Sequence, residues 1–140
     1  MKKIESFQID HDKHPIGFHN SIQANNIYTY DLRFKLSNQG DYLANSAMHT
    51  IEHLFATVIR NSDKADKVVY FGPMGCRTGF YLLLLGIEYD EAKELCITAI
   101  EKCLELKEIP GTDKQDCGNY LEHSLSLAHK ELRSYLKAIK

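Results

Sequence analysis

Apolar positions recur with two distinct periods along this chain. Over residues 43–60, Ala44, Ala47, Met48, Ile51, Leu54, Phe55, Val58 and Ile59 follow the three- and four-residue spacing of an amphipathic helix, with that stripe toward a core. Asn38-Gln39-Gly40-Asp41 is a turn leading into it, and Asp41 is its expected cap. A second helix is predicted over 89 to about 107, with Ala92, Leu95, Cys96, Ala99, Cys103 and Leu106 inward and Pro110-Gly111 as the stop. A third is predicted over about 118–138, with Leu121, Leu125, Ala128, Leu132 and Leu136 inward. The other period is two. Residues 28–36 alternate cleanly, with Thr29, Asp31, Arg33 and Lys35 on one face, and form the clearest strand. Residues 68–71 and 80–85 read as strands of a hairpin joined by a glycine-rich loop over 72–79. Residues 4–10 alternate weakly around Phe7 and Ile9, which suggests a short strand or extended arm. Residues 11–21, with Pro15, Gly17 and three histidines, read as loop. Strands segregated from long helices predict an α+β fold, an antiparallel sheet of about four strands packed against helices. No repeat, low-complexity tract or linker interrupts the pattern, so residues 1–140 read as one domain.

Composition narrows the classes. The 140 residues are 44% hydrophobic and 26% charged, an ordinary globular mix able to bury one core. The net charge is -2 with both signs interspersed. No basic run is present to neutralise phosphates, so nucleic acid is not an expected partner. The longest apolar run, over 80–85, is too short to span a bilayer, and the first residues lack an apolar signal core. A cytoplasmic, reducing location is therefore expected, where the four cysteines serve as thiols or metal ligands and not disulfides.

The helix over 43–60 carries His49-Thr50-Ile51-Glu52-His53, an H-x-x-E-H pattern. At about 100° per residue, His49 and His53 lie one turn apart on one face, opposite the apolar stripe, with Glu52 between them. Both rings can converge on one ion, and Glu52 can move protons beside it. Such a site needs cover, from elsewhere in this chain or from a partner subunit. Two imidazoles are also too few, because a catalytic zinc-type centre has three protein ligands and one open position. The cysteines, His123 and carboxylates such as Glu88 or Glu122 are the candidates for the third. Cys96 and Cys103 lie on an apolar helix stripe and read as core. Cys76 and Cys117 sit beside glycines in loops, where sulfur is accessible, and Arg77 is placed to favour a Cys76 thiolate. Arg33, His11, His14, His19 and His129 taken singly read as surface residues. H-x-x-E-H also occurs in zinc peptidases, but that reading leaves Cys76 and Cys117 without a role.

Further motifs occur in a fixed order: Glu5-Ser6-Phe7 with Asp10-His11, then Tyr30-Asp31-Leu32-Arg33-Phe34, His49-Thr50-Ile51-Glu52-His53-Leu54, Pro73-Met74-Gly75-Cys76-Arg77-Thr78-Gly79-Phe80-Tyr81, and Cys117-Gly118-Asn119. Together they resemble the S-ribosylhomocysteine lyase (LuxS) family over nearly the whole chain. The resemblance implies a carbon–sulfur lyase that converts S-ribosylhomocysteine to homocysteine and 4,5-dihydroxy-2,3-pentanedione, the autoinducer-2 precursor. It implies one divalent metal per chain, Fe2+ with Zn2+ or Co2+ as substitutes, on His49, His53 and Cys117. Glu52 and Cys76 match the family's proton carriers. Ser6, His11 and Arg33 match positions that hold the sugar, and the family is homodimeric with sites at the subunit interface. Two stretches depart from the family pattern. Val69-Tyr70-Phe71-Gly72 stands where an acidic residue often precedes the proline, and Gly17-Phe18-His19-Asn20 replaces a Tyr-Val-Arg-like segment.

Overall fold

The computed structural model describes residues 1–4, 8 and 10–140. Four strands form an antiparallel sheet in the order β1-β2-β4-β3, where β1 is Gly17–Ala24, β2 Ile27–Arg33, β3 Val68–Pro73 and β4 Gly79–Leu85. Helices α1 (Asn45–Arg60), α2 (Tyr89–Glu105) and α3 (Leu125–Ile139) complete the expected α+β arrangement. The period-two pattern explains the sheet's inner face. Tyr30 and Leu32 of β2 and Phe80, Leu82 and Leu84 of β4 are buried, together with Ile51, Leu54, Phe55 and Ile59 of α1. An aromatic row ties the layers, with ring centroids 4.3 Å apart for Phe55–Phe71, 5.1 Å for Phe71–Phe80, 5.2 Å for Phe34–Phe80 and 4.1 Å for Phe34–Tyr135. The phenols that enter this core keep partners for their hydroxyls: Tyr30 donates to the Ile87 carbonyl at 2.7 Å and Tyr135 to that of Gly17 at 2.9 Å.

Several boundaries differ from the pattern's expectation. The expected loop over 11–21 is instead a 3-10 turn over His11–Lys13 followed by β1. Its strand character is local pairing: Asn25 and Asn26 take φ of 54° and 64°, the left-handed pair of a tight hairpin turn, and return the chain along β2. Polar residues are tolerated there because β1 is an edge strand. Asp41 does not cap α1. Position N-cap is Ala44, with no side-chain cap, and Asp41 pairs with Lys35 at 3.4 Å. Leu43 is fully buried with its amide on the Arg77 carbonyl at 2.9 Å, and Ala44 is extended, so the helix begins after them. Helix α3 begins at Leu125 and not near 118, because the Ser124 hydroxyl accepts from Leu127 N and ends the preceding loop. Leu121, expected inward, is 79% exposed. The expected arm over 4–10, and Ser6 within it, fall on residues outside those described, apart from Ile4, Gln8 and Asp10.

Gly79 opens β4 against Arg33 of β2. A Cβ at Gly79 would sit 2.1 Å from the Leu32 carbonyl oxygen, a backbone atom with little room to yield. Gly79→Ala is expected to cost about 1–3 kcal/mol or more of stability, as overpacking does. Urea unfolding at constant m-value checks it; an unchanged midpoint would mean that the strands separate freely here.

Candidate metal centre

Four side chains converge beside α1. His49 and His53 project from successive turns of α1, with ring centroids 4.8 Å apart. The segment between α2 and α3 folds back over them and supplies Cys117 and His123. The Cys117 sulfur lies 3.4 Å from His49 Nε2, 3.8 Å from His53 Nε2 and 3.7 Å from His123 Nε2. All four ligand atoms are within 4.8 Å of one another. Bonds of about 2.3 Å to sulfur and 2.0 Å to nitrogen put the ligand atoms of a tetrahedral centre roughly 3.5 Å apart. The spacings of the Cys117 sulfur from His49 Nε2 and His53 Nε2 therefore fit one small divalent cation. The cover that the histidine face required comes from this same chain.

Backbone carbonyls orient the two α1 imidazoles. His49 Nδ1 is 3.0 Å from the Glu122 carbonyl oxygen, and His53 Nδ1 is 2.9 Å from that of Pro110. A carbonyl only accepts, so each Nδ1 carries the hydrogen and each Nε2 offers its lone pair inward. Gly111, at φ 69°, supplies the left-handed backbone beside the His53 ring, where a Cβ would make only an ordinary contact, 3.5 Å from Nδ1. Cys117 is presented by a turn in which its amide donates to the Asp113 carbonyl at 3.0 Å. The accessible sulfur expected at Cys117 is thus corrected: it is buried beneath the rings. His123 was open as a ligand candidate on spacing alone, and its ring stacks on His49 with centroids 4.0 Å apart. Burial, and then His49 and His53, push its pKa below the usual histidine value. Neither Thr50 nor Thr78 stands out from the sequence, although each lies inside a motif.

Glu52 lines a cleft of about 260 Å³ with His49, Met48, Pro73, Asn119 and Glu122. Cys76 lines another of about 500 Å³, with His11, Tyr42, Met74, Thr78 and Tyr81, and Pro73 borders both. Behind Cys76 runs a buried polar line. Arg33, 1% exposed and not a surface charge, pairs with Asp31 at 2.7 Å and donates from Nη1 to Thr78 Oγ1 at 2.7 Å. Since a guanidinium only donates, the Thr78 hydroxyl hydrogen is left for Cys76 Sγ, 3.0 Å away. Arg77 is not the thiol's partner that its position suggested. Its guanidinium reaches the Leu43 carbonyl at 3.4 Å and lies over the Tyr42 ring. His14, expected on the surface, is mostly buried with Nε2 3.2 Å from Asp31; burial lowers its pKa more than Asp31 raises it. His19 and His129 instead meet the backbone carbonyls of Pro15 and Cys103. Cys96 and Cys103 are core residues as expected, with burial raising both thiols, Cys103 to about 12.

Two imidazoles one helical turn apart on an H-x-x-E-H helix, a thiol from a distant loop and a carboxylate alongside define a protein with a side-chain group able to hold a metal ion. The chain belongs to the S-ribosylhomocysteinase (LuxS) family, whose model matches residues 4–140. Relatives named S-ribosylhomocysteine lyase include one from Borreliella afzelii (strain PKo), 44% identical over 99% of this chain and 93% of its own length. Another, from Phocaeicola vulgatus, is 40% identical over 99% of this chain and 91% of its own. One from Porphyromonas gingivalis is 37% identical over 99% and 92%.

With His49, His53 and Cys117 as the ligand set, His53→Ala and Cys117→Ala are each expected to leave well under one metal per folded chain. Elemental analysis after gel filtration, beside circular dichroism, measures it. Full occupancy in both variants would rule this ligand set out.

Proposed function

We propose that this chain is an S-ribosylhomocysteine lyase acting over residues 1–140. The observation that carries the proposal is the meeting of His49, His53 and Cys117 at one point beside Glu52, in a chain matched to the family from 4 to 140. The ring-opened substrate carries an aldehyde at C1. Two aldose–ketose shifts move that carbonyl to C2 and then C3, each by loss of a proton from one carbon and its return to the neighbour. Loss of the C4 proton then expels homocysteine thiolate from C5 and leaves 4,5-dihydroxy-2,3-pentanedione, with no net oxidation.

Glu52 and Cys76 are suited to carry these protons. The carboxylate stands beside the metal ligands, and the sulfur stands in its own cleft with the Thr78 hydroxyl against it. Such groups contribute about 10²–10⁴-fold each. His11 on the cleft wall, Arg33 behind Thr78, and Ser6 are assigned to holding the sugar hydroxyls, so that one C–H bond at a time faces a base. Arg33 Nε, buried and without a hydrogen-bond partner among the described residues, supports that assignment. His49, His53 and Cys117 would hold a divalent metal, ferrous iron with zinc or cobalt as substitutes, which when bound would supply Lewis acidity toward a substrate carbonyl. The thiols at Cys76 and Cys117 suit a reducing cytoplasm. No helix among the described residues is long and apolar enough to cross a membrane.

The active unit is assigned as a homodimer with shared sites. Glu52 and Cys76 open into separate clefts, and the sheet face turned from the helices leaves Tyr70 and Leu85 exposed and Tyr81 and Leu83 half-buried.

Wild-type protein loaded with metal in the absence of oxygen is expected to release free thiol from S-ribosylhomocysteine. Cys76→Ala and Glu52→Gln should keep metal and lose roughly 10²–10⁴-fold in rate. A metal-loaded wild type that releases no thiol would refute the lyase reading. Co-expression of the two inactive variants should restore about a quarter of the wild-type rate, from random assortment in a two-fold dimer with shared sites. No recovery in verified hybrid dimers would place both proton carriers of each site on one chain.

A further inference from the structure

His123 stands among the candidate ligands but faces a different kind of partner from the other two imidazoles. Where His49 and His53 meet carbonyls, His123 Nδ1 meets the Thr50 hydroxyl oxygen at 2.9 Å. Thr50 is fully buried on α1, and its oxygen already accepts the Ser124 amide hydrogen at 2.9 Å. A buried hydroxyl hydrogen needs an acceptor. Among the described residues, His123 Nδ1 is the remaining hydrogen-bond partner of that hydroxyl. Nδ1 therefore accepts, and the ring's hydrogen sits on Nε2, the atom that faces the Cys117 sulfur at 3.7 Å. Distance alone does not separate a ligand from a donor, since 3.7 Å suits both. The hydrogen does, because a protonated nitrogen has no lone pair to give a cation.

We propose that His123 is a positioning residue that donates a hydrogen bond from Nε2 to the Cys117 sulfur, with Thr50 holding it in that tautomer. The proposal deepens the metal-centre reading above and rests on it. Its consequence is twofold. The centre keeps three protein ligands and one position for substrate, where a fourth imidazole would close it. The N–H also draws charge from the thiolate, so the sulfur neutralises less of the cation's charge and leaves it a stronger Lewis acid.

Cobalt(II) reports both properties without turnover. Its d–d bands read the ligand set, and its sulfur-to-metal charge-transfer band reads electron density on the thiolate. His123→Phe is expected to bind one cobalt per chain at saturation, with affinity about 10–100-fold weaker. Its d–d bands should stay in place and its charge-transfer band should move to longer wavelength. His123→Gln, whose amide can donate from near the same point, should restore the wild-type charge-transfer position. Thr50→Val, which leaves the ring in place, should move that band as His123→Phe does, and it carries the test if the Phe variant does not fold. A shift of the d–d bands in His123→Phe would make His123 a ligand and overturn the proposal. An unmoved charge-transfer band in His123→Phe, or in Thr50→Val, would overturn it as well. Wild-type protein that takes up no cobalt would refute the metal centre itself, whereas these other failures leave that centre standing.

Discussion

Everything at the metal centre depends on the chain between α2 and α3 lying down across one flank of α1. The carbonyls of Pro110 and Glu122 accept from His53 and His49, and the Ser124 amide donates to Thr50. Each such bond contributes only about 0.5–1.5 kcal/mol of net stability. That is small beside the burial of Ile51, Leu54 and Phe55 on the other side of the same helix. Their importance is directional. They decide which nitrogen of each ring is protonated, and that decides which atoms can bind a cation. One helix thus does two separate jobs. Its apolar stripe secures it to the sheet, and its opposite flank, freed from that packing, presents His49, Glu52 and His53.

The Cys76 thiol rests on a different support. Cys76 is exposed, but the groups behind it are not. Asp31, Arg33 and Thr78 are each 1% exposed and lie at the end of β2 and the start of β4. An unpaired guanidinium at such a depth would be prohibitive. The Asp31 carboxylate and the Thr78 hydroxyl make it tolerable, and the same bonds aim the threonine hydrogen at the thiol. The close approach of β2 and β4 at Gly79 brings these groups into register. The two chemical groups are therefore mounted on different rigid parts, Glu52 on a helix and Cys76 at a hairpin, with Pro73 bordering both clefts.

Much of this was legible from residue order alone. The three- and four-residue spacing placed α1 and α2 to within about two residues at each end, a usual margin for helix ends. Alternation located β2, and two short apolar runs around a glycine-rich loop located the β3–β4 hairpin. The histidine pair and Glu52 followed from the helical repeat, and motif order singled out Cys117 and Cys76. The misses have physical causes. Strand β1 carries no period-two signal because an edge strand half-covered by solvent needs no apolar alternation. Helix α3 was drawn too long because Leu121 and Leu125 keep helical spacing, while Ser124 ends the loop between them. Arg33 looked like a surface charge because nothing nearby in the chain shows that Thr78, 45 positions away, will receive it.

The sequence by itself determined the three helices in outline, the strands β2, β3 and β4, and which of their faces are apolar and which polar. These depend on period and residue type, which are local properties. Only the tertiary structure decided which atoms meet. It put Cys117 beneath the α1 histidines, 68 and 64 positions away, and gave His123 a hydroxyl partner where the others have carbonyls. It also turned Arg77 toward Tyr42 and joined Arg33 to Cys76 through the Thr78 hydroxyl. Hydrogen bonds extend about 3 Å and depend on direction. Their partners are fixed by how distant segments pack, which no single stretch of sequence contains.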